Sequence, residues 1–189
     1  MLVHSAGALP GAGAFVDRLN RRGKPYYVLT NDAAKLAATA TARYRGYGLP
    51  LEADRIITSG ALLAPYFAAH GLVGRRCAVL GAADSIAYVE LAGGQVVPAH
   101  EDFDVLAVCD ESGYPFLDTV DAALKSIFRA LARGSRVRLV LPDPDLIFPS
   151  PTGVGVASGS VARLAAAASA NPSSSMVAGV GFEPTTFGL

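Results

Sequence analysis

Long apolar runs are missing from this sequence, and so is any excess of one charge. No stretch approaches the roughly 20 apolar residues that a membrane-crossing helix needs. No signal peptide is visible either, so no membrane partner is expected. Sixteen Lys and Arg balance 16 Asp and Glu over 189 residues, for a formal net charge of +0. That balance leaves no basic footprint for a polyanion, and no nucleic-acid partner is expected. Cysteine is scarce: Cys77 and Cys109 are the 2 present, each inside an apolar stretch. They read as buried strand thiols of a reducing cytoplasm rather than as a disulfide. The histidines His4, His70 and His100 stand singly with no ligand spacing, so they make no metal site. There is no G-x-S-x-G, no Walker loop and no zinc pattern. Apolar residues are also few ahead of the first turn, where an α/β domain usually has a full strand. The chain reads as starting in the middle of something.

What is present suits one ordinary domain or two small ones: 51% of residues are hydrophobic and 17% charged. Strand-like and helix-like segments alternate. The pattern predicts strands over 26–29, 55–60, 76–81, 103–112 and 137–143. Between them it predicts helices over 33–48, 61–71, 82–94, 117–134 and 158–168, with an earlier helix between Pro10 and Gly23. Pro65 marks a kink or a weaker helix. The clearest helix carries an apolar stripe of Val120, Leu124, Ile127, Phe128 and Leu131, with Asp118 placed to cap it and Gly134 to stop it. Strands separated by helices imply a mostly parallel sheet covered on both faces. After Ala170 the period vanishes. "NPSSSMVAGVGFEPTTFGL" is rich in Ser, Gly, Pro and Thr and reads as a disordered tail. Its last part resembles the opposite-strand translation of a tRNA gene, so the tail is expected to be non-native.

Several short motifs can carry chemistry. "VLTND" ends an apolar strand in Thr30, followed by Asn31 and Asp32. Ligands bind beyond the carboxyl ends of parallel strands, and a hydroxyl there beside free helix N–H groups can hold a phosphoryl oxygen. The plainer reading is that Thr30 or Asn31 merely caps the next helix. "VLPDPDL" sets Asp143 and Asp145 just past a strand. An Asp-x-Asp there can be a nucleophile with a metal ligand. However, Pro144 sits between them and Leu146 follows, where a tight phosphate loop would want glycine, which favours a polar turn or a specificity loop. Asp102 and Asp104 precede their strand and read as its solvated lead-in. Gly153, Gly155 and Gly159 are spaced G-x-G-x-x-x-G, with no strand expected directly before them, and make a poor dinucleotide fingerprint.

The order of these pieces resembles the haloacid dehalogenase (HAD) superfamily, subfamily IIA, the group of 4-nitrophenylphosphatase-like and pyridoxal-phosphate-phosphatase-like enzymes. "LVHSAGALPGAGAFVDRLNRRGKPYYVLTND", "GLPLEADRIITSGALL" and "LPDPDLIFPSPTGVGVASGSVARL" carry the resemblance, which runs from Met1 to about Ala168. Asp143 stands where the family usually has Asn. The resemblance implies an α/β fold: a partial Rossmann-like core over 1–70, an inserted α/β cap over 71–168, and the tail over 169–189. It implies hydrolysis of a small phosphorylated metabolite with Mg²⁺. Thr30, Asn31 and Asp32 would bind the phosphoryl group, and Asp143 and Asp145 would lie on the cap's substrate loop. In the family, an Asp-x-Asp-Gly strand supplies nucleophile and acid/base, and later Lys and acidic motifs complete the site. None of these is found here, and Met1 aligns directly after the first. The chain is therefore expected to be truncated at both ends, to lack catalytic residues, and to bind no Mg²⁺ itself. The alternatives are a catalytically dead binding or scaffold fragment that uses the cap to associate with itself or a partner, or a small nucleotide-binding domain resting on "GVGVASG".

Overall fold

The computed structural model describes residues 2–4, 7–150 and 152–169, so the expected disorder of 171–189 lies outside the described residues. Its parallel strands fall into two separate sheets rather than one, beside two antiparallel pairs. A small antiparallel ladder of β1 (Val3–His4) and β2 (Gly7–Ala8) leads into α1 (Ala12–Arg21). Strand β3 (Val28–Thr30) is followed by α2 (Ala37–Gly46) and then by β4 (Ile56–Thr58). β3 and β4 pair in parallel with Val28 opposite Ile56 and Thr30 opposite Thr58. Ala12 and Val16 of α1, Ala40 and Tyr44 of α2, and Leu49, Leu51 and Ile56 form the core of this first unit.

The second unit begins with α3 (Leu63–Ala69), β5 (Arg76–Leu80), α4 (Ala83–Leu91) and β6 (Gln95–Val96). It continues through β7 (Val105–Val108), α5 (Phe116–Ala132) and β8 (Arg138–Val140). A hairpin of β9 (Ile147–Ser150) and β10 (Gly153–Val156) precedes α6 (Ser158–Ser169). The four-stranded sheet has the order β6-β5-β7-β8, parallel throughout. Side chains alternate across it, as the pleat requires. Ala78, Leu80, Leu106, Val108 and Leu139 face α5 and α6. Cys77, Val105, Ala107 and Val140 face α3 and α4, where Leu63, Phe67, Tyr88 and Val89 cover them. This is the sheet buried on both faces that near-continuous apolar strands demand.

Four local expectations need correction. α2 starts at Ala37 with Leu36 at its N-cap, so neither Thr30 nor Asn31 caps a helix. Asp118 lies within the first turn of α5, where Pro115 is the N-cap residue and no side chain caps. The buried face of α5 is Val120, Ala123, Ile127 and Ala130, while Phe128 is 48% exposed. At 3.6 residues per turn, the position after Ile127 already points about 100° away from that face. The hairpin replaces the expected loop, so a strand does precede the glycine run. Phe148 lies across Gly155, where an added Cβ would meet its ring at 2.4 Å. Gly159 lets α6 start against the Pro144 carbonyl oxygen, which an added Cβ would meet at 2.3 Å. Gly155 and Gly159 thus serve close packing, whereas Gly153 takes a φ of +131° with nothing within 4 Å among the described residues.

Candidate functional site

Thr30 is the last residue of β3, at the carboxyl end of a parallel strand. Its Oγ1 accepts the Asp32 N–H at 3.3 Å, and Asp32 Oδ1 accepts the Ala34 N–H at 2.9 Å. These short-range bonds turn the chain away from helix and make an open loop of 31–36. Asp32 also pairs with Lys35 at 3.5 Å and Arg43 at 3.6 Å, which holds both cations beside Thr30. Arg43 Nε donates to the Tyr47 hydroxyl at 3.3 Å, a bond that raises the guanidinium pKa further.

The loop is tied down from the second unit. The Leu36 N–H donates to Asp84 Oδ2 at 2.9 Å, Ser85 Oγ donates to the Ala33 carbonyl at 3.0 Å, and the Tyr88 hydroxyl donates to the Lys35 carbonyl at 2.8 Å. All three side chains come from α4. Tyr88 also shares a 2.5 Å hydrogen bond with Thr58 Oγ1, and Gly60 makes room for its ring. From the first unit, Ser59 Oγ donates to the Asn31 carbonyl at 2.8 Å.

Opposite the loop, the carboxyl ends of β7 and β8 close a cleft of about 420 Å³. Thr30, Asn31, Asp32, Lys35 and Arg43 line one side. Asp110, Glu111, Ser112, Asp143, Phe148 and Ser158 line the other. Asp145 joins the two sides, because its Oδ2 accepts Asn31 Nδ2 at 3.3 Å. All five residues singled out from sequence therefore converge. Lys35, Arg43, Asp110, Glu111 and Ser112 were not singled out. "CDES" continues an apolar strand without a break. The rule that drew attention to Thr30, that ligands bind beyond the carboxyl ends of parallel strands, applies equally to β7 and would have found Asp110 and Glu111. Arg43 leaves no local signal at all.

The far wall is a crowd of carboxyls with unequal proton affinities. Burial pushes Glu111 up to about 7, and Asp110 and Asp143 add repulsion. Burial likewise pushes Asp143 up to about 6, against the lowering effect of the Asp145 N–H bonded to it at 3.0 Å. At mildly acidic pH the wall is partly protonated and can donate hydrogen bonds to a ligand. Asp102 and Asp104 lie at the other end of their strand. Asp102 is held low by its hydrogen bond to Arg133. The Cys77 and Cys109 thiols are buried and free, pushed up to about 11 and about 12 by that burial.

A divalent metal does not fit this donor set. Among the described residues no three His, Cys, Asp or Glu side chains converge on one point, and Asp32 already serves two cations. Likewise, among them no helix is long and apolar enough to cross a membrane.

Comparison with known proteins matches the geometry to a family. The pattern of the haloacid dehalogenase-like hydrolases matches residues 1–95. A dihydroxyacetone phosphatase from Corynebacterium glutamicum is 28% identical over 168 residues, which is 89% of this chain and 58% of that protein. A possible sugar phosphatase of the HAD superfamily from Cytophaga hutchinsonii superposes with a TM-score of 0.75 at 25% identity, covering 94% of this chain and 63% of its own. The 4-nitrophenylphosphatase from Thermotoga maritima shares the fold, with a TM-score of 0.71 at 21% identity, covering 92% of this chain and 62% of its own. The chain thus spans less than two thirds of the length of these relatives.

Proposed function

Because the chain belongs to the haloacid dehalogenase-like hydrolases, we propose that it forms the phosphate-gripping and substrate-selecting parts of a phosphatase for small phosphorylated metabolites. The observation that carries this reading is Thr30 at the carboxyl end of β3, opening on a cleft beside Lys35 and Arg43. Its hydroxyl and the Asn31 amide hold phosphoryl oxygens, and the two cations balance their charge. Asp32 positions those cations. Asp143, on the opposite wall, faces the leaving group, and Asp145 beside it holds the Asn31 side chain. Protonated at mildly acidic pH, Asp143 and Glu111 bond the hydroxyls of a sugar-like or triose-like group. A dihydroxyacetone phosphatase and a possible sugar phosphatase among the relatives support that class. We assign the core to 1–70, the cap to 71–168 and the setting to the cytoplasm, although α3, the last helix of that core, packs on the sheet of the second unit.

Mg²⁺, which the family uses, would neutralise charge on the transferring oxygens. The described residues do not build a site for it, and no step is assigned to it. Nor does the sequence hold an Asp-x-Asp-Gly nucleophile. Asp32 is committed to Lys35 and Arg43, and phosphoryl transfer needs an in-line nucleophile. The polypeptide of residues 1–189 therefore binds phosphate esters without turning them over. Calorimetric titration with dihydroxyacetone phosphate tests this. Thr30→Ala loses a charge-assisted hydrogen bond and weakens binding about tenfold. Equal affinity in that variant sinks the reading. Mg²⁺-dependent phosphate release by the unmodified chain, lost in Thr30→Ala, sinks the claim of no turnover.

A second reading, self-association through the cap, rests on the β9–β10 hairpin. Ile147 is 59%, Val154 72% and Val156 56% exposed, an apolar concentration unusual for a solvated ribbon. Sedimentation of the chain and of Val154→Glu decides it: a dimer that the variant dissociates is expected, and a monomer in both ends the idea.

A further inference from the structure

Three hydroxyls bond alternate carbonyls of the 31–36 loop. Ser59 Oγ donates to the Asn31 carbonyl at 2.8 Å, Ser85 Oγ to the Ala33 carbonyl at 3.0 Å, and the Tyr88 hydroxyl to the Lys35 carbonyl at 2.8 Å. All three donors are buried. Ser59 directly follows β4, whereas Ser85 and Tyr88 lie on α4, so both units contribute. A buried hydroxyl costs free energy unless it is bonded, so these groups hold on to their carbonyls. Their seats are shaped to fit. An added Cβ at Gly60 would meet the Tyr88 ring at 2.4 Å, and one at Gly81 would meet Ser85 Oγ at 2.5 Å.

The consequence falls on the N–H groups. In a planar trans peptide the C=O and the N–H point in opposite directions. Drawing the Asn31 carbonyl onto Ser59 therefore turns the Asp32 N–H the other way, where it meets Thr30 Oγ1 at 3.3 Å. Drawing the Ala33 carbonyl onto Ser85 likewise turns the Ala34 N–H to Asp32 Oδ1, at 2.9 Å. Thr30, Asp32 and Ala34 all line the cleft. The third peptide is held at both ends by α4: its carbonyl bonds Tyr88, and its N–H, on Leu36, bonds Asp84 Oδ2 at 2.9 Å. Residues 84 and 88 are one turn apart on the same helix face, so this peptide lies along α4 and fixes where the Lys35 side chain leaves the loop. The single Tyr88 hydroxyl proton goes to Lys35, so Thr58 is the donor in the 2.5 Å bond between Thr58 and Tyr88. Thr58 Oγ1 in turn accepts the Ala61 N–H at 3.3 Å, which completes a chain of bonds from the end of β4 to the loop.

We propose that Ser59, Ser85 and Tyr88 are positioning residues for the phosphoryl group. They turn the positive ends of the 31–32 and 33–34 peptides, and the Lys35 side chain, toward a phosphate on Thr30. Oriented backbone amides contribute fixed partial positive charge to an anion site. The inference rests on the reading of Thr30 as the phosphate grip. It adds that α4 of the second unit sets how tightly the first unit binds, through the loop rather than through the ligand.

The test is titration of the full chain with orthophosphate, read by calorimetry and by the amide NMR resonances of Asp32 and Ala34. Ser59→Ala, Ser85→Ala and Thr30→Ala are run beside the wild type. The wild type should bind and shift both amides. Each serine variant should bind about threefold to tenfold more weakly. The loss should also be local. Ser59→Ala should diminish the phosphate-induced shift of Asp32 more than that of Ala34, and Ser85→Ala should do the reverse. A merely structural role would diminish both alike. Circular dichroism checks folding, and should one serine variant not fold, the other carries the test. Binding that Thr30→Ala weakens and the serine variants leave unchanged overturns this inference but spares the reading of Thr30. So does a loss in which each variant affects the two amides equally. No wild-type binding at millimolar orthophosphate, or binding indifferent to Thr30→Ala, sinks both.

Discussion

The two parallel sheets of this molecule are made of similar residues but are buried very differently. In β7 of the four-stranded sheet every residue, Val105 to Val108, is inside. In the two-stranded sheet Leu29 is 67% and Ile57 39% exposed, although both lie in strands nearly as apolar as β7. Helices cover both faces of the larger sheet, whereas in the described residues one face of the smaller sheet stays open. Thr30 sits on the less buried sheet. Its loop is fixed by Asp84, Ser85 and Tyr88, which the better buried unit projects through α4. A rigid neighbour can therefore order a binding loop whose own strand has little core to hold it.

The sharpest way to break this contrast is to remove core from each sheet in turn. Phe67→Ala, at a fully buried position against the four-stranded sheet, should cost about 3–5 kcal/mol in urea unfolding. Leu29→Ala should cost less than about 0.5 kcal/mol. Similar costs for the two would mean that the smaller sheet is covered in solution.

A smaller effect is expected at the tie between the units. Tyr88→Phe keeps the ring but removes the hydroxyl that bonds the Lys35 carbonyl and Thr58. It should cost about 1–2 kcal/mol. Amide exchange should quicken in residues 31–36 while β5 and β7 stay protected. Uniform loss of protection would show that the two units open together.

The smallest effect is on pH. Glu111 and Asp143 are raised from 4.5 to about 7 and from 3.8 to about 6, so the fold prefers both protonated. Below their unfolded pKa values this contribution is fully present. It is lost as pH rises through about 6 and about 7, because the unfolded chain is by then ionised. The melting temperature should therefore fall from about pH 5 to about pH 8, and Glu111→Gln should flatten part of that fall. A wild-type midpoint that rises over this range would place these carboxyls in favourable ionic contacts instead.

Periodicity and punctuation were enough to read the α/β class, the buried cysteines and most helices, because these depend on neighbours a few residues apart. The ordered run of motifs was enough for the family. Thr30 was visible as a hydroxyl ending an apolar strand, and Asp143 and Asp145 as acids following one. The hairpin was hidden because Pro149 and the glycines of β10 look like loop until Phe148 is laid across Gly155. The stripe on α5 was misjudged because a partner sheet, not the helix, decides which of Ile127 and Phe128 is covered.

The sequence by itself determined the elements, their order and the residues that end them, since hydrogen bonds and side-chain periods are local. Only the tertiary structure decided that the parallel strands divide into two sheets, and that the Asn31 amide meets an Asp145 carboxylate 114 residues away. Those outcomes depend on how parallel strands align their ends in space, and no local pattern in the chain encodes that alignment.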